Sequence, residues 1–111
     1  MKINVFGAEY GVELVENLLD LDLETPIKYG SIDYLNNTIK VNSNFTEGDQ
    51  QKTLLHEIIH ACEHEMEPDD GLTDLQVSRV SRCLWGTLRE NPVLIDFIFG
   101  DVSKRKAKNG K

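Results

Sequence analysis

Five residues constrain this chain more than any others: His56-Glu57-Ile58-Ile59-His60. The spacing H-E-x-x-H is mechanical. Residues four apart on a helix stand one above the other on the same face. The surrounding run from Thr53 to His64 contains no Gly or Pro and so permits a helix. At about 100° per residue, His56, His60 and Glu57 share one arc. Leu54, Leu55, Ile58, Ile59, Ala61, Cys62 and Met66 fill the opposite arc. Such a helix buries its apolar side and turns two imidazoles and a carboxylate toward a cleft. Two imidazoles at that spacing can grip one zinc ion, and the intervening Glu can act as general base toward a water beside it.

The rest of the sequence supplies the frame. At 111 residues it reads as one domain over 1–103, followed by a basic tail over 104–111. Five of the twelve basic residues lie in that tail. Residues 1–103 keep 7 basic against 19 acidic side chains, a net of −12. An acidic body is a poor binder of nucleic acid, so none is expected as a partner. The tail has no apolar periodicity and reads as disordered. No run approaches the roughly 18 apolar residues of a membrane span, and residues 1–7 lack the pattern of a signal peptide. A cytoplasmic protein is expected, with Cys62 and Cys83 as free thiols packed in the core.

Alternation in Lys2–Phe6, a turn at Gly7, and alternation through Tyr10, Val12 and Leu14 predict two paired strands. Residues 20–26 read as an acidic loop. Residues 29–34 and 38–42 flank Asn36-Asn37 and predict a β-hairpin. Asn42-Ser43-Asn44-Phe45-Thr46 offers several N-caps for the motif helix, placed at 47–65. Pro68-Asp69-Asp70-Gly71 breaks it. Thr73 and Gln76 form a capping box for a second helix that runs to about Glu90, with Val77, Val80, Leu84 and Leu88 as its apolar face. Asn91-Pro92 then reads as a cap and first helical position for a short apolar helix, Val93–Phe99, expected to close the core. The class is α+β: a small N-terminal antiparallel sheet on the motif helix, followed by a long and a short helix.

A catalytic zinc takes three protein ligands and leaves a fourth position open. Asp74 is the expected third. It lies in the first turn of the second helix, on the side that also carries Val77 and Ser81, and an antiparallel return would bring it to the motif helix. The competing reading of Asp74 is an ordinary first-turn acid favoured by the helix dipole. His64 is the alternative ligand, although on an unbroken helix it stands about 12 Å along the axis from His56. Glu67, Asp69 and Asp70 remain open as well. Tyr10, Tyr29 and Tyr34 are candidate donors to an oxyanion, with core packing as the competing role for each.

Gly30-Ser31-Ile32-Asp33-Tyr34 with Ile39-Lys40-Val41, Thr53 to Ala61, and Leu72 to Trp85 resemble small phage and prophage proteins of the ImmA/IrrE metallopeptidase family. The resemblance spans roughly residues 2–98. It implies a compact zincin-like fold, with zinc on His56, His60 and Asp74 and with Glu57 as base. It further implies an intracellular zinc endopeptidase acting on a protein or peptide substrate, such as a phage or host regulator. The family usually carries Glu where this chain has Asp74. An extended substrate is expected to add as a strand beside the site, with residues 38–42 as the receiving strand. Two other readings stand beside this one: a non-catalytic zincin scaffold that binds or inhibits another protein, and a purely structural zinc closed by His64.

Overall fold

The computed structural model describes residues 1–19, 27–67 and 70–100. The acidic loop expected at 20–26 and the basic tail at 104–111 lie outside the described residues. Strand β1 (Lys2–Val5) turns through Phe6-Gly7 into β2 (Ala8–Val15). Both turn residues have positive φ, 48° and 89°, the signature of a tight two-residue hairpin turn whose twist suits the flanking strands. Strand β3 (Gly30–Asp33) and β4 (Thr38–Asn42) form the second hairpin, in register from Gly30 opposite Val41 to Asp33 opposite Thr38. Its turn is tied by Asp33, whose carboxylate accepts from the backbone N–H of Leu35 and of Asn36 and from the Asn36 amide.

The sheet order is β1-β2-β4-β3. β2 and β4 run parallel, Gly11 opposite Thr38 through Val15 opposite Asn42. The sheet is therefore mixed, not antiparallel throughout. Each hairpin is antiparallel within itself, but the second enters with β4 innermost, and β4 runs the same way as β2. This leaves β3 as an edge strand and β4 paired on both sides.

One face of the sheet makes the core. Val5, Tyr10, Val12, Ile39 and Val41 are buried there with Ala61 of helix α1 (Glu47–Met66), and Leu54, Ile58 and Cys62 of the same helix pack against them. Leu14 continues the alternation of β2 but stands exposed near the end of the strand. Thr46 caps α1, accepting from the Asp49 N–H at 3.2 Å. The helix ends at Met66. Glu67 turns left-handed, φ 50°, just before Pro68, a residue whose ring disfavours helix in its predecessor. No helix among the described residues is long and apolar enough to cross a membrane.

Helix α2 (Asp74–Glu90) starts from the expected capping box. The Thr73 hydroxyl accepts from the Gln76 N–H, and the Gln76 side chain accepts from the Thr73 N–H. It rests on α1 through Val77 and Ser81, which are buried, while Val80, Leu84 and Cys83 are exposed. The face marked by apolar spacing is thus only partly the packed one, because α2 packs chiefly on α1 and uses a narrow stripe to meet it. Cys83 is correspondingly no core residue, whereas Cys62 is; burial pushes the Cys62 thiol up from its ordinary pKa. Asn91 terminates α2, and helix α3 (Val93–Phe99) follows with Pro92 at its N-cap. α3 does not close the core. None of its residues is buried, and Phe97 is 83% exposed.

Candidate metal centre

Burial of the apolar side of α1 forces its other side toward α2 and β3. There the His56 and His60 Nε2 atoms stand 3.1 Å apart, and each is 3.0 Å from one oxygen of Asp74. Asp74 enters from the first turn of α2, as its position in the sequence predicts. Two imidazoles and a carboxylate make a group that could hold a metal ion.

The chemistry of the donors favours a cation. Both imidazoles can donate to Asp74 only if each carries hydrogen at Nε2, which sets two N–H groups against each other at 3.1 Å. A cation turns the three atoms into acceptors around a common centre. Zinc bonds of about 2.0–2.2 Å place tetrahedral ligand atoms roughly 3.3–3.5 Å apart, close to the triangle seen here. Asp74 is largely exposed at its side chain, while those of His56 and His60 are mostly covered, so the group is open on the α2 side.

Neighbouring side chains hold the donors in place. The Ser78 hydroxyl, one turn beyond Asp74, lies 3.2 Å from His56 Nδ1 and fixes the ring so that Nε2 faces the cluster. Hydrogen bonds from His60 and then His56 hold the Asp74 carboxyl below its ordinary pKa. Glu57 is buried, its carboxylate 3.8 Å from His56 Nε2. Burial pushes its pKa above the ordinary carboxylate value, against the opposing pull of the two histidines. A carboxylate so placed is more basic than one in water.

Two features that position the site were missed in the sequence. Glu63, one turn past His60, accepts from the Leu72 N–H at 2.7 Å and so ties α1 to the residues that lead into Asp74. Gly30 sits where β3 crosses α1. A Cβ there would lie 2.5 Å from the Thr53 side chain, 3.0 Å from the Lys40 carbonyl and 3.6 Å from Glu57. Glycine inside a strand is a signal of close backbone approach, and that signal was present.

His64 is not part of the metal group. It stacks on Tyr34, ring centroids 4.1 Å apart, and it is exposed. Glu67 and Asp70 also stand outside the group, and Asp69 lies outside the described residues. The three tyrosines separate clearly. Tyr10 is wholly buried and donates to Glu65 at 2.7 Å, with its pKa raised to about 12 by burial and by that carboxylate. Tyr29 stacks on Phe45. Tyr29 lines a cavity with His56, Glu57 and Asp74, and Tyr34 lines one with Glu57, His60 and Asp74, its hydroxyl donating to the His60 carbonyl at 3.5 Å.

Two cavities meet at the group. One, about 440 Å³, extends past His56 between Tyr29 and α2; the other, about 310 Å³, extends past His60 toward Tyr34. Gly30 of β3 lines both. Together they form a trough beside β3, whose one strand neighbour among the described residues is β4. Residues 38–42, expected to receive a substrate strand, cannot do so: β4 is paired with β2 on one side and β3 on the other. The chain matches no protein-family model, and no curated protein or solved structure matches it either.

Proposed function

We propose that this chain is a zinc-dependent endopeptidase of the zincin-like, ImmA/IrrE type, acting on an extended segment of a protein or peptide. The observation that carries the proposal is the meeting of Asp74 with His56 and His60 at 3.0 Å, with Glu57 buried alongside. Such a donor set also suits iron(II), but a buried carboxylate one residue after the first histidine is an arrangement for hydrolysis.

His56, His60 and Asp74 would hold the zinc. Bound there, zinc supplies Lewis acidity, making a water acidic enough to lose a proton near neutral pH and polarising the scissile carbonyl. Glu57 takes the proton from the attacking water and delivers it to the leaving amine nitrogen, one carboxylate serving both halves of the reaction. Tyr34, turning its hydroxyl from the His60 carbonyl, would donate to the oxygen of the tetrahedral centre. Backbone groups on the edge of β3 away from β4 hold the substrate as an added strand.

The test uses the untagged 111-residue chain. Plasma mass spectrometry identifies the metal, and fluorescein-labelled casein reports hydrolysis with and without a chelator. Near-stoichiometric zinc and chelator-sensitive cleavage are expected in the wild type. Glu57→Gln should keep zinc and lose cleavage by about 10³-fold or more, at the level of a lost general base with its electrostatic contribution. Cleavage retained by Glu57→Gln sinks the mechanism.

One observation favours a second reading, a non-catalytic scaffold that docks on another protein: α3 presents Val93, Phe97 and Phe99 to solvent. A zinc-loaded wild type with no hydrolysis of casein would move the conclusion there.

A further inference from the structure

We infer that the cavity on the His56 side selects an acidic residue just after the bond cut, and that Arg82 is the residue that reads it. This inference rests on the endopeptidase reading and adds a substrate class to it.

The first ground is a local balance of charge, three cations against three carboxylates, in an otherwise acidic body. The body of the protein has 7 basic against 19 acidic residues, yet this cavity is lined by Lys28, Lys52 and Arg82. The carboxylates there besides Glu57 and Asp74 reduce to one, Asp49, and it is engaged by Lys52 at 3.5 Å. Lys52 is further held over the Trp85 ring, 4.8 Å from its centroid. Arg82 makes no side-chain hydrogen bond or ion pair with another described residue. Among the described residues, the cavity on the His60 side has Lys28 as its one cation, against Glu57 and Asp74. The asymmetry lies between two arms of one trough, so general surface solvation does not account for it.

The second ground is position. Asp74, Ser78, Ser81 and Arg82 all line this cavity, the spacing of one helical face. Arg82 stands about 12 Å along the helix axis from Asp74. An extended peptide advances about 3.4 Å per residue, and the long arginine side chain reaches back toward the metal group, so Arg82 serves a residue roughly one to three positions from the scissile bond. The third ground is direction. Antiparallel pairing is the more stable way to add a strand to β3. β3 runs from the Tyr29 end of the trough toward the Tyr34 end. An antiparallel substrate therefore lays its C-terminal part beside Tyr29 and Arg82. A guanidinium with no side-chain partner among the described residues offers a carboxylate there a two-pronged hydrogen bond.

The experiment digests a proteome-derived peptide library with zinc-loaded wild type, Arg82→Ala and Arg82→Glu, and maps the cut sites by mass spectrometry. A matched pair of quenched peptides, differing by Glu or Gln at the enriched position, then gives the ratio of kcat/KM. Casein cleavage by the wild type is the prior control: its failure counts against the endopeptidase reading and not against the charge argument. Wild type should enrich Asp and Glu within three residues after the cut and prefer the Glu peptide about tenfold, the size of a charge-assisted hydrogen bond. Arg82→Ala should bring that ratio near one, and Arg82→Glu should favour Lys or Arg there, both with zinc content intact. No acidic enrichment, enrichment only before the cut, or a ratio unmoved in both variants overturns the inference.

Discussion

The two helices that furnish the metal group are supported very differently. α1 lies on a sheet face from which Val5, Tyr10, Val12, Ile39 and Val41 are all buried beneath it. α2 packs chiefly on α1, with Val77 and Ser81 as its buried residues, and no residue of α3 is fully buried. Two imidazoles thus come from the best-packed part of the molecule, and the carboxylate comes from a helix held by a narrow apolar seam, a capping box and side-chain hydrogen bonds to α1, among them Trp85 Nε1–H to Gln51. The lesson is that accuracy at the site depends on α2 more than on the motif. The largest expected effect breaks the strong side of this comparison. Ile39→Ala should cost about 3 kcal/mol in urea melts, through lost burial and the cavity left behind. Val77→Ala, in the seam, removes fewer atoms and should cost roughly 1–2 kcal/mol. If Val77→Ala proved the costlier, the seam and not the sheet would be the centre of stability.

Zinc should act on the weak side. An ion shared by α1 and α2 joins the two helices at Asp74, and a ligand at about a hundredfold over its Kd adds about 2.7 kcal/mol to whatever must open to release it. Hydrogen exchange should therefore show protection by zinc concentrated in α2 and the residues that lead into it. Asp74→Ala should abolish that protection while α1 and the strands exchange as before. Protection spread evenly over the sheet, or confined to α1, would mean that the ion does not bridge the helices.

The same contrast explains what could be read from the sequence. Both hairpins, the span of α1 and the capping box at Thr73 rest on local patterns: alternation, turn residues, apolar spacing and caps; the meeting of Asp74 with the motif histidines further needs the antiparallel return of α2 onto α1. The parallel pairing of β2 with β4 is non-local, decided by which strand of the second hairpin enters innermost, and nothing in the alternation of Thr38–Asn42 records it. That pairing also moved the sheet edge from β4 to β3. Val80, Leu84 and the whole of α3 show the other limit. Apolar spacing marks a face but not the presence of something to cover it. Asn42 went unread for a similar reason. It serves as no helix cap; it is buried, donates to the Lys28 carbonyl and accepts from the Asn44 N–H, holding the entry to β3 beside the end of β4.

The smallest expected effect tests the tether that Glu63 makes to Leu72. The Glu63 carboxylate accepts from the Leu72 N–H through one oxygen, and its other oxygen is buried without a hydrogen-bond partner among the described residues. An unsatisfied buried oxygen offsets part of the gain from the bonded one, so the group is a poor choice for stability alone. Gly71 shows how close the contact is: a Cβ there would lie 2.7 Å from the bonded Glu63 oxygen. The arrangement makes better sense as a means of fixing the path into Asp74. Glu63→Gln keeps the shape and an acceptor but loses the charge, and should cost no more than about 1 kcal/mol of global stability. Its effect on zinc should be relatively larger, a fall in affinity of about tenfold, the size expected when a group that orients a ligand is weakened. Gly71→Ala, which pushes on the same contact from the other side, should lower zinc affinity in the same direction. Equal loss of stability and no loss of affinity in both variants would make the tether a packing feature, and would leave the capping box as the device that aims Asp74.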